Sequence, residues 1–395
     1  MKRAIVLAFV LVVAASATAA ALAKPSAKSS ASAAQAVSCK STLKLAFVTP
    51  VTGGAGFIGQ EQVTWAKYAV KTLAASFGLK ITLVVGDTPA EQGPAPAQAL
   101  AQKYVADKSV VTIIGPSTSG AVAASSQTYF DAGLAHISSS ATRTSLTKGD
   151  KKEATPAFFR VIPGDYIQGP SDATFMVDKL HVKKVVIFDF QEPYSLGLAD
   201  AAERILKAKG VSTTRLSVAN TVTDFSSFVT KVPNDADVVF FTTQKPGDAQ
   251  TFAQQMIEQG KKAKVFGGDG SNNASQFKVP GSYVSNFAPD ISGIAADKAI
   301  VAGWKKDNPG VALGSFGPPT YGAVQVALSA IKLACAKDHG TLTDRRDVVR
   351  QVKRVRINNW ILGGTFRWST KSNDPLNAKF YIFQIQSDGS YKLVG

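Results

Sequence analysis

The chain has 395 residues, 45% of them hydrophobic and 9% aromatic, with a formal net charge of +16 at pH 7. That length admits two domains, and the apolar fraction is that of a folded globular protein, not a disordered chain. The basic residues are scattered in ones and twos (Lys183-Lys184, Lys261-Lys262, Lys305-Lys306), and the tightest group, Arg345 to Arg356, alternates with apolar residues. Charge so distributed argues against nucleic acid and suits a negatively charged cell surface.

Residues 1–23 read as a signal peptide. Lys2-Arg3 form the charged start, Ala4 to Ala15 the apolar run, and Ala21-Leu22-Ala23 the small-residue cleavage site. The mature protein is therefore expected outside the cytoplasm, in the periplasm or on the extracellular face of the cell membrane. Residues 24–42 follow as a flexible leader, rich at first in Lys, Ser and Ala. No later stretch is long and apolar enough to span a bilayer. The cysteines, Cys39 and Cys335, leave two readings open. An exported pair fits one bridge; alternatively Cys39 is a lipoprotein cysteine, although Ala36-Val37-Ser38 makes a poor lipobox.

From Leu43 strands and helices alternate. Strands are expected at Leu43–Val48 and Ile81–Val85, with helices at Phe57–Phe77 and Ala95–Ala106. Gly54-Ala55-Gly56-Phe57-Ile58-Gly59 matches the glycine spacing of a dinucleotide site. However, Pro50-Val51-Thr52-Gly53 separates it from the strand, and Asp87 comes too late to serve as the ribose acid. The better reading is a glycine loop that brings a helix N-terminus and Phe57 towards a bound molecule.

The next stretch organises the rest. Val110–Ile114 is an apolar strand ending in Gly115-Pro116 and the polar cluster Ser117-Thr118-Ser119-Gly120. A helix over Ala121–Phe130 leads through Gly133 to a second strand, Leu134–Ile137, and a second cluster, Ser138-Ser139-Ser140-Ala141-Thr142. Strands joined by one helix run parallel, so both clusters emerge at the same carboxyl edge of a sheet. Hydroxyls and backbone N–H groups at that edge suit an anion such as a carboxylate.

Arg160 to Gly164 looks like a boundary, after which the alternation restarts. Helices are expected over Tyr166–Leu180, Ser195–Lys209, Phe225–Val232 and Asp248–Gln259, with strands at Lys184–Phe188, Val211–Leu216, Val238–Thr242 and Lys264–Phe266. Beyond the strand Tyr283–Phe287 the chain becomes helix-rich, at Ala295–Lys306, Tyr321–Ala336 and Asp344–Val352. These helices are expected to return to the first lobe, and the strands Gly364–Trp368 and Lys379–Gln386 to close each lobe in turn. The fold class is thus α/β, with two Rossmann-like lobes: residues 43–163 with 289–367, and 164–288 with 368–395. Three crossings between lobes would make a hinge beside a cleft.

The second lobe carries Asp165, Tyr194, Gln244 and Asp269 at strand ends and helix starts. Acids on one side of a cleft and anion-binding donors on the other suit a zwitterion. The histidines, His136, His181 and His339, are widely separated, and none has metal-ligand spacing. No P-loop or G-x-S-x-G elbow is present, so no enzyme, cofactor or metal is expected.

Ile114 to Ser119, Ile137 to Thr142, the D-x-x-Q-G run Asp165 to Gly169, and Tyr194 to Gly197 together resemble the leucine/isoleucine/valine-binding family, the type I periplasmic substrate-binding proteins of ABC transporters. Thr320-Tyr321-Gly322-Ala323 adds to the likeness, which runs from about Leu43 to the C-terminus. The resemblance implies that Ser119, Ser140 and Thr142 bind the ligand carboxylate, with Ala141 among the ligand-binding positions. It implies that Asp165, Tyr194 and Asp269 face the amino group or its neighbours, and that Phe57 contacts the ligand side chain. Gln244 stands where the family often has an aromatic residue, and Asp269 is shorter than the frequent Glu. Both departures question a branched-chain preference. The expected partners are a small amino-acid-like ligand and the membrane subunits of an ABC permease, the protein itself being a monomer. The same fold could instead take an amide, a urea-like compound or an aromatic carboxylate, or act as a sensory module.

Overall fold

The computed structural model describes residues 36–395, so the expected signal peptide lies outside the described residues. The leader expected over 24–42 ends earlier than that span. Val37–Ser38 (β1) pairs antiparallel with Thr341–Leu342, and Cys39 is disulfide-bonded to Cys335. Both ties fix the chain before the first long strand begins.

That strand is β2 (Thr42–Thr49), followed by α1 (Gly56–Leu73), β3 (Lys80–Asp87), α2 (Ala95–Ala106), β4 (Val110–Ile114), α3 (Ser119–Asp131), β5 (Ala135–Ser138) and β6 (Phe158–Arg160). The five strands β2 to β6 form a parallel sheet in the order β3-β2-β4-β5-β6. β4 is buried at every position, as its unbroken Val-Val-Thr-Ile-Ile requires of a central strand covered on both faces. β3, at the edge, alternates exposed and half-buried residues. β6 was hidden in sequence within the boundary at Arg160, because Phe158-Phe159-Arg160 is too short to show a period.

A second unit repeats the plan: α4 (Asp165–Asp178), β7 (Lys184–Asp189), α5 (Pro193–Ala208), β8 (Ser212–Ser217), α6 (Ser226–Val229), β9 (Val238–Phe241), α7 (Pro246–Glu258), β10 (Lys264–Gly267) and β11 (Tyr283–Asn286). Its sheet runs β8-β7-β9-β10-β11 in parallel. In each sheet the first strand sits between the second and the third, so the order reverses beside it. Ligands of open α/β sheets bind at such a reversal, outside the carboxyl ends of the strands.

The remaining helices, α8 (Lys298–Asp307), α9 (Gly317–Lys337) and, after the short β12 (Thr341–Leu342), α10 (Arg346–Val352), pack against the first sheet. Trp65 of α1 stacks on Trp304 of α8 with ring centroids 4.0 Å apart, and its Nε1 donates to the Leu313 carbonyl at 2.8 Å. Burial of such rings supplies much of the stabilisation of this layer. The core of the second sheet is a phenylalanine cluster in which Phe241 stacks on Phe252 at 4.3 Å.

The C-terminal strands β13 (Tyr381–Ile385) and β14 (Tyr391–Leu393) add antiparallel to the second sheet at β11. The strand expected at Gly364–Trp368 does not join the first sheet. Phe366 and Trp368 form only isolated antiparallel bridges, to Ile357 and Pro375. Their alternation is real, since both rings are buried, but the apolar face rests on α10, where Trp368 Nε1 donates to the Val352 carbonyl at 2.7 Å.

Candidate functional site

Both polar clusters of the first lobe lie at the carboxyl ends of β4 and β5, as their sequence order requires. One buried residue of α1, Gln62, holds them together. Its Oε1 accepts from Thr49 Oγ1 at 2.8 Å and Ser117 Oγ at 2.7 Å, while its Nε2 donates to Ser139 at 3.1 Å and Ser140 at 2.9 Å. The Ser140 hydroxyl donates in turn to the Ser117 carbonyl at 2.7 Å, and the Ala141 N–H donates to Ser138 Oγ at 3.0 Å. Those two positions therefore spend their donors inside the lobe. Ser119 and Thr142 differ: Ser119 Oγ accepts from the Arg143 N–H at 3.2 Å, and the buried Thr142 hydroxyl faces the Asp165 carboxyl without a well-formed hydrogen bond.

Arg160, fully buried, fixes the loop that carries Thr142. Its Nη1 donates to the carbonyls of Ala141, Thr142 and Arg143 at 3.2, 2.7 and 3.0 Å. Its Nε donates to Asp374 at 2.7 Å, and Asp374 also accepts from Thr147 and Tyr166. Asp374 stays ionised, its carboxyl held below its usual range by the Arg160 charge and hydrogen bonds against the opposing effect of burial.

From the second lobe, Tyr194 and Asp269 meet directly, the tyrosine hydroxyl donating to Asp269 Oδ1 at 2.8 Å and accepting the Gly270 N–H at 3.0 Å. Tyr194 is set by the start of α5, where Pro193 opens the helix and the Glu192 carboxylate caps the N–H groups of Tyr194 and Ser195 at 2.9 and 2.8 Å. Asp165 opens α4, with its N–H on the Thr142 carbonyl at 2.8 Å and both carboxyl oxygens unpartnered. Burial, and then the neighbouring Asp269, push Asp165 up to about 8; burial raises Asp269 to about 6, with Tyr194 pulling the other way. Behind them Asp172 accepts from Ser285, which also receives a hydrogen bond from Gln168. Asp172 is likewise raised by burial. Among the described residues none of these three acids has a basic partner within ion-pair distance.

The two sides face each other closely. A methyl group on Gly197 of α5 would lie 2.8 Å from Arg143 Cγ and 3.2 Å from Asp165 Oδ2. One on Gly54 would lie 2.4 Å from Lys245 Cδ. Gln244 follows β9, its Cα close to Gly270, and its side chain reaches Glu192. The structure thus brings together Thr142, Asp165, Tyr194, Gln244 and Asp269, with Ser119, Ser140 and Ala141 on the adjoining loops. Phe57 packs on the first-lobe core, edge-on to Phe316 with centroids 5.6 Å apart. The sequence reading missed Gln62, Arg160 and Glu192. The signal for each was there, namely a charged or amide group where the local pattern calls for an apolar or capping residue.

The model of the family described as periplasmic binding protein matches residues 42–390. The chain belongs to the periplasmic binding protein family. Its members of this type are substrate-binding proteins of transporters, not enzymes. A Leu/Ile/Val-binding protein homologue from Brucella abortus is 27% identical over 355 residues, which cover 87% of this chain and 91% of that protein. A leucine-binding protein from Thermotoga maritima shares the fold with a TM-score of 0.80 at 20% identity, over 89% of this chain and 98% of that one. A solute-binding protein from R. palustris, solved in complex with benzoate, gives 0.78 at 17% identity, over 90% and 96%. The type I periplasmic fold is therefore shared among proteins whose ligands differ.

Proposed function

We propose that this periplasmic binding protein is exported and serves an ABC importer, capturing a small zwitterion such as an amino acid between its lobes and delivering it to a membrane permease. On this reading residues 43–163 with 289–367 rotate against 164–288 with 368–395 to close over the ligand. Ser119 and Thr142 hold the carboxylate, assisted by the loop of Ser140 and Ala141. Asp165, Tyr194 and Asp269 hold the ammonium, while Gln244 and Phe57 face the side chain.

The observation that carries the reading is an imbalance. Buried acids with no cation lie together, with the Thr142 hydroxyl facing the Asp165 carboxyl. A buried charge is tolerated only when paired, and an ammonium beside Asp165 and Asp269 supplies that pair. The test is calorimetry with the common amino acids on the mature protein. Thr142→Ala and Asp269→Ala should each weaken the ligand found by about a hundredfold or more, the scale of a lost charge-assisted contact, with the melting transition intact. Unchanged affinity in both variants would place the site elsewhere.

A carboxylate without an amino group is the second reading, favoured by the neutral state that burial gives Asp165 near pH 7. It expects Asp269→Ala to be harmless and Thr142→Ala to remain damaging.

A further inference from the structure

A cavity of about 520 Å3 lies between the lobes, beside the cluster just described. One wall is the turn after β3 with the first turns of α3, and the other is the start of α5 with Gln244. Pro89, Ala90, Pro94, Ala121, Ala124 and Pro193 give it aliphatic lining. Its charged groups are Glu91 and Glu192, and Thr88, Thr118, Gln191, Asn220 and Gln244 add polar ones. The Thr88 hydroxyl is 4% exposed and has no hydrogen-bond partner. Neither glutamate is ion-paired among the described residues, and the nearby cations are already engaged, Lys245 with Asp248 at 2.8 Å and Arg143 with Glu153 at 3.2 Å. Glu91 Oε1 accepts the Gly54 N–H at 2.8 Å. The space is far larger than the voids that packed interiors leave.

We propose that this cavity is a subsite for the distal part of the ligand's side chain, an unbranched aliphatic segment ending in a cationic, hydrogen-bond-donating group held by Glu91 and Glu192. The aliphatic walls take the methylenes, and the carboxylates balance the charge of the terminal group. This inference rests on the zwitterion reading, because the α-amino and α-carboxylate groups must be anchored next door for the side chain to point here. It makes the protein's preferred ligand a basic amino acid.

The test compares alanine, norleucine and lysine by calorimetry on the mature protein and two variants. In the parent protein lysine should bind more tightly than norleucine, and norleucine about tenfold or more above alanine, as burial of its extra methylenes requires. Ala124→Phe fills the cavity and should abolish the length advantage. Glu91→Gln should weaken lysine about threefold, the scale of one partly exposed ion pair, without changing norleucine. Alanine binding as tightly as norleucine, or Ala124→Phe changing nothing, would overturn the subsite. Norleucine binding at least as tightly as lysine would overturn its cationic end. Failure of all three amino acids to bind would instead remove the zwitterion reading, and this one with it.

Discussion

Gln62 has a buried amide whose two ends face four hydroxyls, from Thr49, Ser117, Ser139 and Ser140. A helix residue two turns from a glycine loop thereby sets the shape of both polar clusters. Gln62→Leu keeps the volume but takes the acceptor from Thr49 and Ser117, while Ser139 and Ser140 keep Thr320 and the Ser117 carbonyl; each stranded buried group costs about 1–3 kcal/mol. The expected outcome is a lower melting temperature together with weaker ligand binding, read by calorimetry; stability loss with unchanged affinity would reduce Gln62 to a packing role. Asp165 and Asp269 act in the opposite sense. An aspartate ionises near 3.8 when unfolded, but here near 8 and 6 because of burial. Their stabilising contribution is complete below 3.8 and is lost as pH rises through 6 and then 8. Glu61 and Glu192, raised to about 7 by burial, push the same way. The ligand-free protein should therefore melt at lower temperature at pH 9 than at pH 5. A bound ammonium favours the ionised acids, so ligand uptake at pH 7 should release protons, measured as a buffer-dependent binding enthalpy. Asp165 and Asp269 stand out in sequence by their place at helix and strand ends, whereas Gln62, Glu61 and Glu192 do not. Burial makes an acid or amide functional, and burial belongs to the fold.

At the scale of elements, the alternation of strand and helix from Leu43 onward is legible because parallel strands are unbroken apolar runs and their covering helices keep a 3.6-residue period. The polar clusters after β4 and β5 are legible for the same reason, since strand ends in such sheets must converge. β6 and β14 escape notice because three residues carry no period. Gly364–Trp368 misleads because a loop packed on a helix can alternate like a strand. The loop of Thr142 and the segment of Asp374 are joined through Arg160 and Thr147, with the Arg160–Asp374 ion pair buried on both sides. Breaking such a pair by removing one partner costs about 3–5 kcal/mol. Asp374→Ala should thus lower stability by that amount in urea, and Arg160→Met should also loosen the 141–143 carbonyls and weaken the ligand. Equal affinity in both variants would show that the clamp serves the fold alone. The bridge between Cys39 and Cys335 closes a separation of 296 residues and pins β1 beside β12. Its reduction should cost about 2–5 kcal/mol of stability, with the cleft, far along the chain from either cysteine, still able to bind.

For the whole molecule, capture depends on two lobes that fit only when their facing surfaces are nearly bare of side chains. Gly197 sits on the facing turn of α5, where an added methyl would press on Arg143 Cγ at 2.8 Å and on the Asp165 carboxyl at 3.2 Å. Arg143 cannot easily yield, because its guanidinium is held by Glu153 at 3.2 Å and its N–H by Ser119. Gly197→Val wedges the first lobe away through Arg143, and within its own lobe it also crowds the Asp165 carboxyl. If the closed form falls to a tenth of its population, the apparent dissociation constant rises about tenfold from that change of population alone. Small-angle scattering should then show a larger radius of gyration for the variant at ligand concentrations that compact the parent protein, while the melting temperature of the ligand-free state stays the same. A variant that binds and compacts like its parent would mean that the lobes close elsewhere than between α5 and the Thr142 loop.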